Sequence, residues 1–242
     1  MERVEDQVEY LKQRFQRAFV PNTLYTEPGP TVEGCQKEAS ILILLHWKDN
    51  DWHVFLTLRS AHLRAHAGEV SFPGGKREEQ DESFVETALR EANEEAGIPY
   101  DSVIIVGAIS HLITRMGIQV RPILAVLREE FEPEINEEVE RAFWMPLSVF
   151  LSKEHHEDLY FPEAKLKSHK VEYNGEYIFG FTSYVAILIA MNVYNRFPEF
   201  EISNMNTSES PEECLCKELM VYNTMPQLVK QEEYDSMTKS KL

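Results

Sequence analysis

The stretch "GGKREEQDESFVETALREANEEAGI", Gly74 to Ile98, decides how the chain is read. Its second half places Val85, Ala88, Leu89, Ala92 and Ala96 on one stripe at about 100° per residue, which predicts a helix from about Phe84 to Ala96. Ser83, with Glu86 three positions on, fits a capping box, and Gly97 suits the left-handed position that ends a helix. Glu91, Glu94 and Glu95 share a second sector along the border of the apolar stripe, with Glu86, Arg90 and Asn93 on its other side. Like charges at this spacing cost about 0.2–0.5 kcal/mol per pair, and partial desolvation beside a core raises that cost. A hard divalent cation relieves it, because such ions take several carboxylate oxygens at once. A solvated acidic face is the alternative that the helix alone leaves open. Arg90, four positions before Glu94, can orient that carboxylate.

Working outward, the 242 residues are 43% hydrophobic and 27% charged, which suits one globular domain with a substantial core. A net charge of −17 argues against nucleic acid or an anionic membrane as partner, since both require a basic footprint. It does not exclude phosphate-bearing ligands, because a bound divalent cation reverses the local sign. Three cysteines, Cys35, Cys214 and Cys216, are odd in number and unevenly spaced, so they outline no disulfide framework and favour a reducing compartment. The most apolar run, "YVAILIAMNVY" (Tyr184 to Tyr194), is too short to span a bilayer and reads as a buried helix.

Along the chain, Val4, Val8, Leu11, Phe15 and Phe19 predict an amphipathic N-terminal helix, followed by a proline-rich connector. "ASILILLHW" and "WHVFLTLRS" read as a hairpin across Asp49-Asn50-Asp51, and "EVSFP" as a short strand entering the Gly74-Gly75 turn. "SVIIVGAIS", "VRPILAVLR" and "RAFWM" add strands, and "EYIFGFTSYVAILIAMNVYNRF" a strand and a long core helix. Beyond about Glu199 the chain is polar and reads as a mobile tail. Strands and helices mixed in this order predict α/β/α layering on one sheet.

The quoted stretch resembles the Nudix hydrolase signature at Gly75, Glu82, Arg90, Glu91, Ala92, Glu94, Glu95, Gly97 and Ile98. Six residues separate Gly75 from Glu82, where the common pattern has five, which weakens Glu82 as a ligand. The resemblance implies an α/β fold, a Nudix-type α/β/α sandwich around a mixed β-sheet. It also implies metal-dependent cleavage of a diphosphate with Mg²⁺ or Mn²⁺, with Glu91 and Glu95 as metal ligands, Glu94 as a further ligand or general base, and Arg90 in the catalytic set. Gly74 and Gly75 let the backbone turn sharply and approach the ligand.

Just upstream, "FLTLRSAHLRAHAGEVSFPGGK" resembles the coenzyme A diphosphatase branch of that family through Leu56-Thr57, Arg59-Ser60, Arg64, Gly68 and Phe72-Pro73-Gly74-Gly75. The longer spacing to Glu82 is similar to that branch as well. The resemblance implies coenzyme A or acyl-CoA as substrate, with Arg59, Arg64, Gly68, Phe72, Gly74 and Gly75 around it; arginine forks suit phosphate. A buried core aromatic is the other reading of Phe72, and Glu69 is a further candidate carboxylate. Hydrolysis of ADP-ribose or NADH, and a binding module without catalysis, are the rival readings. His155-His156 reads as inert.

The final tripeptide, Ser240-Lys241-Leu242, matches the peroxisomal address, so a peroxisomal import receptor and a peroxisomal location are expected. Residues 1–37 are expected to form the N-terminal helix and connector, 38–200 the Nudix domain, and 201–242 an acidic flexible tail.

Overall fold

The computed structural model describes residues 3–20, 37–63, 65–114, 117–161, 166–202 and 205–222. Arg64 and the Ser240-Lys241-Leu242 tripeptide lie outside them.

The centre of the fold is a parallel pair of strands, β1 (Lys37–Lys48) and β7 (Ile118–Leu127), in register from Lys37 opposite Ile118 to Leu45 opposite Val126. Both strands are nearly continuous apolar runs, as expected where each face of a sheet is covered. Leu42, Leu44, Ile123 and Ala125 face one core; Ile43, Leu45, Leu124 and Val126 face the other. The remaining strands extend this pair antiparallel: β2 (Asp51–Arg59) and β4 (Gly74–Lys76) on β1, β5 (Val103–Ala108) and β6 (Leu112–Ile113) on β7. On β2 pair β3 (Val70–Ser71) and β8 (Val139–Pro146). The sheet is therefore mixed and eight-stranded.

One face carries α2 (Phe84–Ala96). The other carries α1 (Val4–Arg14) and α3 (Gly180–Tyr194), which is buried nearly all round. This is the expected three-layer α/β/α sandwich.

Three features go beyond the sequence reading. First, α1 is an integral wall: Leu11 and Phe15 are fully buried, Tyr10 donates to the Val193 carbonyl, and Arg14 donates to the Asn192 carbonyl at 2.8 Å. Second, the segment read as a tail contains α4 (Pro211–Tyr222), whose Cys214, Leu215 and Leu219 join the core beside α3. Arg17 bonds Glu212 through its backbone N–H at 3.0 Å, which ties α4 back to the N-terminal region. Third, β9 (His156–Phe161), β10 (Leu166–Tyr173) and β11 (Glu176–Phe179) form a separate antiparallel sheet that packs on α3. No helix of the described residues is long and apolar enough to cross a membrane.

Candidate active site

The helix α2 is set by its ends. The Ser83 hydroxyl accepts the Glu86 N–H at 3.1 Å, while the Glu86 carboxylate accepts the Glu82 N–H at 2.6 Å, a reciprocal cap offset by one residue from the usual box. Gly97 stops the helix at φ 66°, and its N–H donates to Asn93 at 2.8 Å.

The buried face of α2 is rotated from the predicted stripe. It consists of Phe84, Thr87, Ala88, Ala92, Glu95 and Ala96, with Val85 and Leu89 only partly buried at the flank. Thus Glu95 is not on the border but inside, 3% exposed. Phe84, outside the predicted stripe, is fully buried at the start of the helix, with the Arg77 and Arg121 guanidinium groups over its ring.

A buried carboxylate needs donors. Glu95 accepts the Gly74 N–H at 3.2 Å and an Arg59 guanidinium N–H at 3.3 Å. Desolvation nevertheless pushes its pKa up to about 7, against the pull of Gly74 and Arg59 and with help from the nearby Glu91 and Glu138 charges. Desolvation also raises Glu91, whose side chain is mostly buried above the β4 backbone. Gly75 permits that placement: a Cβ there would overlap the Glu91 carboxylate. Gly74, at φ 151°, would drive a Cβ into the β1 backbone at Ser40 and Ile41. The glycine pair is therefore a packing requirement on both sides.

Arg90 is fully engaged. Its Nε and Nη2 grip both oxygens of Asp81 at 2.9 and 3.0 Å; Nη1 meets Glu91 at 3.1 Å and Glu94 at 3.3 Å; Nη2 also meets the Lys76 carbonyl at 3.1 Å. Asp81, its side chain 1% exposed, also accepts from Thr87 and the Glu78 N–H, and the Arg90 fork holds its pKa down to about 2. With its donors all on protein oxygens, Arg90 has the geometry of a positioning residue rather than of one that meets a substrate.

Arg59 differs. It pairs with Glu95 and, at 3.7 Å, with the half-exposed Glu138, and its Nε is buried without a partner. The loop behind it returns through Gly68, at φ 70°, whose N–H donates to the Arg59 carbonyl at 3.1 Å. Gly68 thus shapes the Arg59 backbone. Phe72 is 3% exposed within the core, so the core reading replaces the substrate-facing one. Glu82 is exposed, and Glu69 pairs with His66 at 3.0 Å.

Glu91, Glu94 and Glu95 all reach this edge but do not close on one point. Among the described residues, the group of three whose ligand atoms lie within 4.8 Å of one another is His156, Asp158 and His169. The glutamates are instead held by guanidinium groups, which supply the positive charge that a divalent cation would supply. The donor set is all carboxylate oxygen, is partly desolvated and lies over a cradle that a Cβ would fill, so it fits Mg²⁺ or Mn²⁺. Asp81 and Glu138 escaped the sequence reading. Both sit in acid-rich loops, where composition does not separate a carboxylate that meets an arginine of the site from its neighbours.

A family profile described as NUDIX domain matches residues 36–164. The chain is 35% identical over 188 residues to the "Peroxisomal coenzyme A diphosphatase ndx-8" of Caenorhabditis elegans, covering 74% of this chain and 79% of that one. It is 38% identical to the "Uncharacterized Nudix hydrolase NudL" of Yersinia enterocolitica, across 58% and 73% of the two chains. It is 37% identical to "Nudix hydrolase 15, mitochondrial" of Arabidopsis thaliana, across 68% and 61%.

Proposed function

Starting from a chain that belongs to the Nudix family, hydrolases of the pyrophosphatase class, we propose that this protein cleaves the diphosphate of coenzyme A or its acyl thioesters. The products are 3′,5′-ADP and 4′-phosphopantetheine or its acyl form. The observation that carries the substrate is the similarity to the C. elegans coenzyme A diphosphatase across 79% of that protein.

In this reading Glu91 and Glu95 hold a divalent cation, Mg²⁺ or Mn²⁺, with Glu94 available as a further ligand. Such a cation, when bound, neutralises diphosphate oxygens and lowers the pKa of a coordinated water. The chain supplies the rest. Glu94, its side chain 55% exposed, takes the proton of the attacking water. Arg90 keeps Glu91 and Glu94 on one edge, and Asp81 keeps Arg90 in place. Arg59, its side chain 22% exposed, meets substrate phosphate through its terminal guanidinium nitrogens; Arg64 is assigned the same task. The Gly74-Gly75 backbone leaves room for the Glu91 carboxylate over β4, and the Gly74 N–H holds Glu95 beside it.

The test is purified protein with coenzyme A, acetyl-CoA, ADP-ribose and NADH under Mg²⁺ or Mn²⁺. Release of 3′,5′-ADP from the first two, above turnover of the others, is the expected result. Preferred turnover of ADP-ribose or NADH overturns the substrate, and binding without turnover overturns catalysis.

A peroxisomal location is proposed with this activity. It is supported by the compartment in the name of the C. elegans relative, while the A. thaliana relative carries a mitochondrial one. Imaging of a tagged chain with and without Ser240-Lys241-Leu242 separates the two compartments.

A further inference from the structure

We propose that His156, Asp158 and His169, on the second sheet and apart from α2, form a binding site for a zinc-class transition-metal ion. On β9, His156 and Asp158 are two residues apart and so share a face. Across the β9–β10 ladder His169 stands directly opposite Asp158 and therefore on that same face. The three side chains form a cross-strand triangle with one ligand atom of each within 4.8 Å of the others.

Nε2 of His156 lies 2.9 Å from Nδ1 of His169 and 3.7 Å from an Asp158 oxygen. Two imidazole nitrogens at about 2.0–2.1 Å from a tetrahedral zinc ion stand roughly 3.3 Å apart. Opening the pair by a few tenths of an ångström and turning the two rings toward a common point admits the ion.

Packing fixes the rings in place. His156 stacks on Phe200 at 3.5 Å between centroids, with 3° between the planes. The His169 carbonyl accepts the Ser183 hydroxyl at 2.7 Å, anchoring its strand to α3. Both imidazoles are at least nine-tenths buried, and burial lowers their pKa, that of His169 to about 4. They stay neutral, the form that ligates metal.

The charges facing them are Asp158, Lys167 and Glu157. Lys167 engages one Asp158 oxygen at 3.0 Å, and the other oxygen is the one turned to His156; Glu157 pairs with Lys170 at 3.2 Å. Two imidazoles and one carboxylate suit zinc, cobalt, nickel or copper, whereas the glutamates of α2 suit the harder Mg²⁺. Asp158, its side chain 52% exposed, gives solvent access to the cluster from its side. Without a metal, the two rings share a proton in an N–H···N bond, and that is the competing account.

The decisive experiment uses the full chain, freed of metal by a chelator and titrated with Co²⁺ in excess Mg²⁺. A visible ligand-field band that saturates at one equivalent and is erased by Zn²⁺ is expected. It should persist in a Glu91→Gln/Glu95→Gln variant and disappear in His169→Gln. Asp158→Asn, a change at a half-exposed position that spares the fold, should weaken Zn²⁺ binding by about tenfold to a hundredfold, since even the outer partners of a ligand contribute that much. Zn²⁺ at a hundredfold excess over its Kd should raise the wild-type Tm by about 5–10 °C. Absence of the band in the wild type, its loss with the α2 glutamates, or equal Zn²⁺ affinity in folded Asp158→Asn overturns the proposal.

Discussion

Arg59 and Arg90 both reach the glutamates of α2, yet they distribute their donors differently. Arg90 places every N–H on a protein oxygen, with a buried aspartate gripping its fork. Arg59 touches one buried and one half-exposed carboxylate and keeps a buried Nε unused. A saturated guanidinium can only hold its neighbours in place. A partly exposed one, as Arg59 is at 22%, can still turn an N–H of its terminal nitrogens toward an incoming phosphate.

The contrast is most exposed to refutation at Glu94. Glu94→Gln should lower turnover by about 10²–10⁴-fold, the usual range for a proton-transfer group, while leaving the Tm nearly unchanged. Steady-state kinetics beside a thermal melt reads both, and activity close to wild type removes Glu94 from the proton-transfer role.

Asp81→Ala should act on the clamp instead. Leaving Arg90 without its buried partner is expected to cost about 3 kcal/mol, or roughly 6–12 °C in Tm, with a parallel loss of turnover as Glu91 and Glu94 loosen. The pH response gives a second reading. Because the folded pKa of Asp81 is lowered, its contribution is complete above the ordinary carboxyl range near pH 4 and is lost as pH falls through about 2. Acid melts of wild type and Asp81→Asn should therefore converge toward pH 2.

Arg59→Lys sharpens the other side. It should raise KM about tenfold, equivalent to about 1.4 kcal/mol, with Tm held, whereas Arg90→Lys should lower both kcat and Tm. If the two lysine variants behave alike, the distinction between the arginines is wrong. The smallest effect is expected at the start of the helix that carries both contacts: Ser83→Ala should cost about 1 kcal/mol in a denaturant titration and barely alter KM.

Much of this arrangement could be read from residues alone, for identifiable reasons. The bounds of α2 follow from Ser83 and Gly97, whose backbone demands are local. β1 and β7 follow from apolar runs that only a doubly covered strand needs. The burial of Glu95 was not legible, because helical periodicity weighs Leu89 by its hydrophobicity and has no knowledge of Gly74 and Arg59 waiting as donors. The strands β9 and β10, "HEDLYF" and "LKSHKVEY", mix charge with aromatics, and their pairing is set by partners outside either segment. His156 looked inert for the same reason: its partner His169 is 13 positions away and meets it only across a ladder. In α4, Cys214, Leu215 and Leu219 are diluted by acids, so their contact with the core shows only once α3 is in place.

The bonds from Tyr10 and Arg14 to the end of α3 join positions 183 and 178 apart. During synthesis the N-terminal helix therefore emerges long before its docking surface exists, carrying Leu11 and Phe15 uncovered for most of translation. Closure must await a very distant segment, a delay that pushes such topologies toward slow folding and toward chaperone attention on the ribosome.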